Sequence, residues 1–225
     1  MYDILIGPMA WVSFGVLMMG LVIRILRYIR GLDWKLDRVA YTKNISFGVK
    51  GALRSVVLWL FPFGTRSWRD HPVFTVLVFL FHIGLLTVPV FLTAHNILLK
   101  EKWGFSLWTL SENAADGIVL LVITTGLLLV LRRVALPEVR KITDANDLTV
   151  MLLAITPFVT GYLAHHQAST YGFWLYAHII SGEILLMAIP FTKLSHFALF
   201  FMSRVQLGMD FGIKRGGMKG KGMAW

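Results

Sequence analysis

Five apolar stretches, each close to the length that crosses a lipid bilayer, are the feature that most limits how this chain can fold. They run over roughly Ile4–Ile23, Pro72–Leu99, Asn113–Leu131, Asp147–Ala164 and Phe173–Met202. A helix needs about 20 apolar residues to cross a hydrocarbon core of about 30 Å. Since 56% of the residues are hydrophobic and only 15% are charged, the composition is also that of a membrane protein. We therefore predict an all-α integral membrane protein with five transmembrane helices.

Lysine and arginine are concentrated in alternate connections between these stretches. Ten lie between residues 24 and 69, four between residues 132 and 141, and five in the tail from residue 204, whereas the opposite side holds only Lys100 and Lys102. Basic residues accumulate on the cytoplasmic side of membrane proteins. The pattern predicts an N-terminus outside and a C-terminus in the cytoplasm. This orientation accounts for the net charge of +10, so we expect no nucleic-acid partner.

Two histidines in the last stretch, His178 and His196, stand eighteen residues apart. On one continuous helix with about 100° per residue, eighteen steps make five whole turns, which places both imidazoles on one face roughly 27 Å apart. A polar ring is costly in hydrocarbon and needs a partner. We interpret the pair as ligands of two metal centres, one near each membrane surface. The chain has no cysteine, which excludes cysteine-ligated iron–sulfur clusters and thioether-attached haem in this subunit.

The second stretch runs in the opposite direction and carries His82 and His95. Antiparallel pairing predicts one haem b between His82 and His196 near the inner surface, and another between His95 and His178 near the outer surface, since a b haem in a helical bundle takes imidazoles from facing helices. His82 and His95 are roughly 20 Å apart in rise but about 140° apart around an ideal helix. Pro89 lies between them and can bend the helix, and His71 is an alternative ligand if this register is wrong.

Four segments of this sequence resemble the gamma subunit of respiratory nitrate reductases. They are FHIGLL at Phe81–Leu86, LRRVALPEVRKITDANDL at Leu131–Leu148, LYAHIISG at Leu175–Gly182 and PFTKLSH at Pro190–His196. The likeness covers about Pro72 to Phe201. It implies five spans with the N-terminus outside, two b haems between the second and fifth spans, and electron exchange with a quinol. His82, His178 and His196 match family ligands, whereas the family's second ligand in this span falls on Leu92, and we predict that His95 replaces it.

The basic insert at residues 31–69 and the short length are similar to a branch of that family in the transmembrane redox complexes of sulfate reducers, of the Hmc, Tmc and Dsr types and the Hmc type above all. This resemblance implies a multi-pass subunit of the bacterial inner membrane, with menaquinone as the candidate quinone. The implied partners are other membrane subunits, a periplasmic multihaem cytochrome c, and a cytoplasmic iron–sulfur protein similar to heterodisulfide reductase. A membrane anchor with one haem or none is the alternative, because of the mismatch at His95.

The predicted chain has four parts. Residues 1–30 form the first transmembrane helix, residues 31–71 a basic cytoplasmic segment, residues 72–203 a four-helix di-haem core, and residues 204–225 a basic glycine-rich tail that can thread along a partner or lie on anionic membrane lipid. Within the basic segment, Asn44 to Phe61 carries apolar residues on one side, which is typical of a helix lying at the membrane surface. It serves either as a docking platform for a cytoplasmic subunit or as a membrane-lying linker.

Three further polar residues are candidates for a quinone or proton path. Glu183 lies within the fifth predicted span, where it either relays protons or bonds a neighbouring helix. His165 and His166 close the fourth predicted span on the outer side. They are candidates to bond a quinone carbonyl or a haem propionate, and they are reserve ligands opposite His178. A solvated interfacial pair is the alternative reading.

Overall fold

The structure is a computed structural model that describes residues 1–32, 45–168 and 170–216, with side chains through residue 212. Over these ranges the chain forms helices and no strand. Five helices are long and apolar enough to cross a membrane, and we name them the first to the fifth span: Tyr2–Arg30, Pro72–Phe91, Glu112–Ala135, Ala145–His165 and Tyr171–Phe191. The predicted five spans are confirmed, while the orientation of the termini stays a prediction. Parts of the predicted basic segment (33–44) and tail (217–225) lie outside the described residues.

The chain divides into two compact units. The first unit comprises Met1–Ser13 and Val76–Leu186, and the second comprises Phe14–Thr75 and Met187–Trp225. Of the predicted ligands, His82, His95 and His178 belong to the first unit, and His196 belongs to the second.

In the first unit, glycines allow the second, third and fourth spans to approach closely. A Cβ atom added at Gly126 would lie 2.8 Å from Cγ1 of Ile155 on the fourth span and 3.0 Å from Cε2 of Phe81 on the second. Val122 of the third span is completely buried. Small residues at helix contacts increase van der Waals packing, which drives association where lipid leaves no hydrophobic driving force. This packing positions the helices that carry the candidate site.

The second span is shorter than predicted, because the helix stops at Phe91 instead of continuing to Leu99. Leu92 has extended backbone angles (φ −71°, ψ 134°), and a new helix, which we name the short helix, runs over Thr93–Trp103. Asn96 is buried and binds both sides of the break. Its Nδ2 donates to the carbonyls of Val90 (2.8 Å) and Leu92 (3.1 Å), and its Oδ1 accepts from the backbone N–H of Leu107 (2.8 Å). These side-chain bonds link the two sides of the break and stabilise it.

The prediction of one helix over Phe173–Met202 is wrong. The α-helix ends at Ala188 and is followed by two 3₁₀ turns, Ile189–Phe191 and Lys193–Ser195, before the C-terminal helix His196–Gly216 begins. Pro190 has no backbone N–H to continue the helix, and it packs so closely on Gly20 that a Cβ atom there would lie 2.5 Å from the Cβ of Pro190. The five-turn argument that placed His178 and His196 on one face therefore does not apply.

The basic segment contains the helix Ile45–Leu60, as predicted, while its position at the membrane surface stays a prediction. Its buried side consists of Gly48, Gly51, Ala52 and Ser55, and it packs on the C-terminal helix where a Cβ atom added at Gly208 would lie 2.6 Å from Cα of Ala52. The predicted apolar side faces outward, with Leu53 64% exposed. This arrangement leaves an apolar helix face available to lipid or to a partner protein.

Candidate functional site

His95 of the short helix and His178 of the fifth span lie side by side in the first unit. Their ring centres are 5.9 Å apart and their planes differ by 7°. At this separation His95 and His178 would be able to hold one metal ion together, with one imidazole nitrogen from each. The observed separation also lies within the range of ordinary aromatic packing, so the distance alone does not identify a metal site.

The hydrogen bonds of the two rings are those expected of metal ligands. Nδ1 of His95 lies 2.9 Å from the carbonyl oxygen of Pro89, and Nδ1 of His178 lies 2.8 Å from that of Pro157. A carbonyl oxygen only accepts, so each Nδ1 must carry a proton. In the neutral imidazole, Nε2 is then the unprotonated nitrogen. Metal-binding histidines are oriented in this way, with one nitrogen donating to a carbonyl and the other bound to the metal.

Gly161 of the fourth span makes room for the imidazole of His178. A Cβ atom added at Gly161 would lie 2.8 Å from Nδ1 and 2.9 Å from Cε1 of that ring. Pro157, whose carbonyl orients the same ring, lies four residues earlier, one helical turn away. The fourth span therefore supplies both the space and the hydrogen bond that hold His178 in place.

The other two predicted ligands have the same local arrangement. Nδ1 of His82 lies 2.8 Å from the carbonyl of Val78, and Nδ1 of His196 lies 2.9 Å from the carbonyl of Lys193. His82 also contacts the ring of Phe81, edge to face at 5.5 Å. All four predicted ligands thus carry their proton on Nδ1. The pairing of His82 with His196 stays a prediction, since the two belong to different units.

A metal ion bound only by protein would need more ligands than this site offers. Over residues 1–32, 45–168 and 170–216, no group of three or more His, Cys, Asp or Glu side chains is arranged to hold a metal ion. Haem b differs in this respect, because its macrocycle already supplies four nitrogen ligands and the protein adds only the axial ones. A pair of parallel imidazoles therefore fits the needs of haem better than those of an isolated ion.

His165 and His166, the reserve ligands, lie at the end of the fourth span and contact the carboxylate of Asp116 in the third span. Nε2 of His166 is 3.0 Å from Oδ2 of Asp116, and Nε2 of His165 is 3.9 Å from Oδ1 of the same carboxylate. The ring of Tyr162 lies 4.4 Å from that of His166. His165, His166 and Asp116 form a partly exposed cluster, which is suited to proton exchange with water.

Glu183 is buried in the fifth span, with 7% of its surface exposed. Its Oε1 has no hydrogen-bond partner among the described residues. A buried polar oxygen without a hydrogen-bond partner is costly in such surroundings. The prediction that Glu183 bonds a neighbouring helix has no support at this oxygen.

Sequence reasoning missed the residues that orient the ligands. Asn96, Pro157 and Gly161 are not chemically conspicuous, and each acts on a residue distant in the sequence or on a helix break. The one signal in the sequence is a proline followed four residues later by a glycine inside an apolar span. It could have suggested that the fourth span has space for a neighbouring side chain at Pro157–Gly161.

Comparison with known proteins finds a relative of the same length as this chain. No family model and no solved structure matches it. The chain is 52% identical, over 100% of both sequences, to a protein of Nitratidesulfovibrio vulgaris (strain Hildenborough) that carries only the name "Protein". At that identity over the full length, the chain belongs to the same family as this Nitratidesulfovibrio vulgaris protein.

Proposed function

We propose that the chain is a di-haem b membrane subunit of a respiratory redox complex and passes electrons across the bacterial inner membrane. The parallel pair His95 and His178 is the observation that supports it best, because both rings keep Nε2 unprotonated. Haem b, when bound, supplies one-electron redox chemistry. The protein holds the two imidazoles, and the carbonyls of Pro89 and Pro157 keep each ring in the tautomer that binds iron.

A second haem is proposed between His82 and His196. Each has its Nδ1 against a backbone carbonyl, which is the orientation a metal ligand needs. Two haems at different depths would divide the crossing of the bilayer into shorter electron-transfer steps.

The proposed partners follow from the resemblance to nitrate reductase gamma subunits and their relatives in sulfate reducers. On the outer side, electrons would be exchanged with a menaquinone pool or a periplasmic multihaem cytochrome c. On the inner side, the partner would be a cytoplasmic iron–sulfur protein similar to heterodisulfide reductase, held with other membrane subunits. The exposed apolar face of the helix Ile45–Leu60 suits such an assembly.

Proton transfer on the outer side is proposed to use Glu183 and the cluster of His165, His166 and Asp116. Glu183 is buried and its Oε1 has no hydrogen-bond partner among the described residues, so this side chain is suited to carry a proton within the span. The cluster is partly exposed, so it suits exchange with water. Together they would accept protons released when a quinol is oxidised.

Pyridine haemochrome quantitation of the purified full-length protein tests the proposal. We expect two b haems per chain, and we expect His95→Ala and His178→Ala each to retain one. His71→Ala tests the alternative ligand: His71 is exposed just before the second span, this variant should retain two haems, and loss of one would make His71 a ligand.

Two outcomes would count against the proposal. One haem or none in the unaltered protein would refute the two-haem relay and favour the membrane anchor. Loss of a haem in His178→Ala but not in His95→Ala would mean that another residue faces His178, with His165 and His166 as the next candidates.

A further inference from the structure

The second unit contains an open depression in its surface, which we call the cavity, with a volume of about 400 Å³. The C-terminal helix and the 3₁₀ turn before it form most of its wall, and the first span and the helix Ile45–Leu60 each add one aromatic residue. Among its lining residues are Tyr28, Trp59, Lys193, His196, Ser203 and Arg204. It is lined by His196, a proposed ligand of the second haem, but by neither residue of the His95–His178 pair.

The cavity is positively charged. Lys193 and Arg204 line it, and among the described residues none of the lining side chains is acidic. Arg24 adds a third cation next to the wall, because its Nε donates to Oγ of Ser195 at 3.5 Å. Asp210 is close enough to act electrostatically on Tyr28, but it does not line the cavity. These charges favour an anionic ligand.

Arg204 is held in place over an aromatic ring. Its Cζ lies 4.6 Å from the ring centre of Trp59, which is within the range of a cation–π contact. The guanidinium keeps its N–H donors in this geometry and can still bind a phosphate or carboxylate. Ser203, one residue earlier in the chain, also lines the wall, but its hydroxyl donates to the carbonyl of Phe200 at 3.0 Å.

The surroundings of the cavity are apolar and exposed. Leu199 and Phe200 form part of its wall, and Phe197 and Phe201 beside them are 52% and 42% exposed. In a membrane protein, such residues at the basic end of the spans face lipid. A ligand that fits both features has an anionic headgroup and an apolar tail.

We propose that this cavity binds the phosphate headgroup of an anionic phospholipid. Basic pockets on the cytoplasmic side of membrane helices recognise such headgroups, and the predicted orientation puts this basic end of the chain in the cytoplasm. Lys193 and Arg204 bind the phosphate, while the acyl chains lie along the exposed phenylalanines.

Lipid retention, measured by native mass spectrometry of the delipidated full-length protein, tests the proposal. Phosphatidylglycerol should bind, and phosphatidylcholine should bind much more weakly. The double variant Lys193→Gln/Arg204→Gln should weaken phosphatidylglycerol binding roughly thirtyfold, since each basic residue near an anionic membrane contributes a factor of about five. The charge-preserving variant Lys193→Arg/Arg204→Lys should keep most of the binding, which separates loss of charge from loss of fold.

A matched control removes the same charge outside the cavity. Arg27→Gln/Lys50→Gln changes two exposed basic residues of the second unit that do not line the cavity, and it should leave binding nearly unchanged. Equal losses in both double variants, or equal binding of both lipids, would overturn the proposal. Unchanged lipid binding with a lost haem in Lys193→Gln/Arg204→Gln would assign the cavity to a haem carboxylate instead. Haem content does not enter the lipid readout, so failure of the proposed function is visible separately.

Discussion

Replacing Gly161 with alanine would place a methyl group 2.8 Å from Nδ1 and 2.9 Å from Cε1 of His178. Ordinary van der Waals contact begins at 3.4 Å, so the ring must retreat by the difference between 3.4 and 2.8 Å, about 0.6 Å. The neighbouring atom is an imidazole held by a 2.8 Å hydrogen bond to Pro157. It is not the loose end of a flexible side chain, so it cannot give way without losing that bond.

A displacement of this size exceeds what metal coordination tolerates. Ligand distances in metal sites are kept within about 0.2 Å, and changes to groups that orient metal ligands reduce metal affinity about 10–100-fold. We therefore expect Gly161→Ala to lose most of one b haem, measured by pyridine haemochrome. The haem that remains should keep its electron paramagnetic resonance signal, because it is held elsewhere.

Gly182→Ala is the matched control on the fifth span, since no atom lies within 4 Å of a Cβ added there. It should retain both haems. If Gly161→Ala also retains two haems with unchanged resonance signals, His178 does not lie against the fourth span as described, and the argument for the outer ligand pair fails.

Three further replacements test other parts of the structure. Asn96→Ala leaves the carbonyls of Val90 and Leu92 without their side-chain donor, so thermal unfolding in detergent should show a loss of about 3 kcal/mol, whereas the exposed Asn113→Ala should change little. Glu183→Gln keeps the shape of the side chain but not its proton-carrying role; quinol oxidation should slow at unchanged haem content, and an unchanged rate would exclude Glu183 from the proton path. Gly208→Val forces a side chain onto the backbone of Ala52, so the melting temperature should fall clearly. Gly15→Val is the control, because a Cβ atom there meets nothing within 4 Å. Equal melting temperatures of the two variants would contradict this helix contact.

The ends of the spans show where sequence reasoning stops working. The third and fourth spans were predicted within a few residues, because their limits depend on local hydropathy and on capping groups such as the Asp144–Asp147 box. The ends of the second and fifth spans were missed. Both contain a proline, and whether a proline bends a helix or ends it depends on partners elsewhere in the fold, such as Asn96 and Gly20.

The candidate ligands illustrate the same limit. On an ideal helix His95 points about 140° away from His82, and that mismatch was the weakest point of the prediction. The break at Leu92 starts a new helix, so the rotation counted along the second span no longer applies to His95. His178 and His196 show the reverse, because an apparently perfect spacing loses its meaning once the α-helix ends at Ala188.

The sequence by itself determined the class of this protein, five apolar helices and a small set of polar residues among them, because length, hydropathy and side-chain chemistry are local properties. The pairing of His95 with His178 could be predicted, but only the tertiary structure decided how close the two rings lie, that each Nδ1 faces a backbone carbonyl, and that Gly161 leaves room for the ring. Those outcomes depend on helix breaks and on contacts between residues up to about eighty positions apart in the chain, and an ideal helix drawn from the sequence carries no information about either.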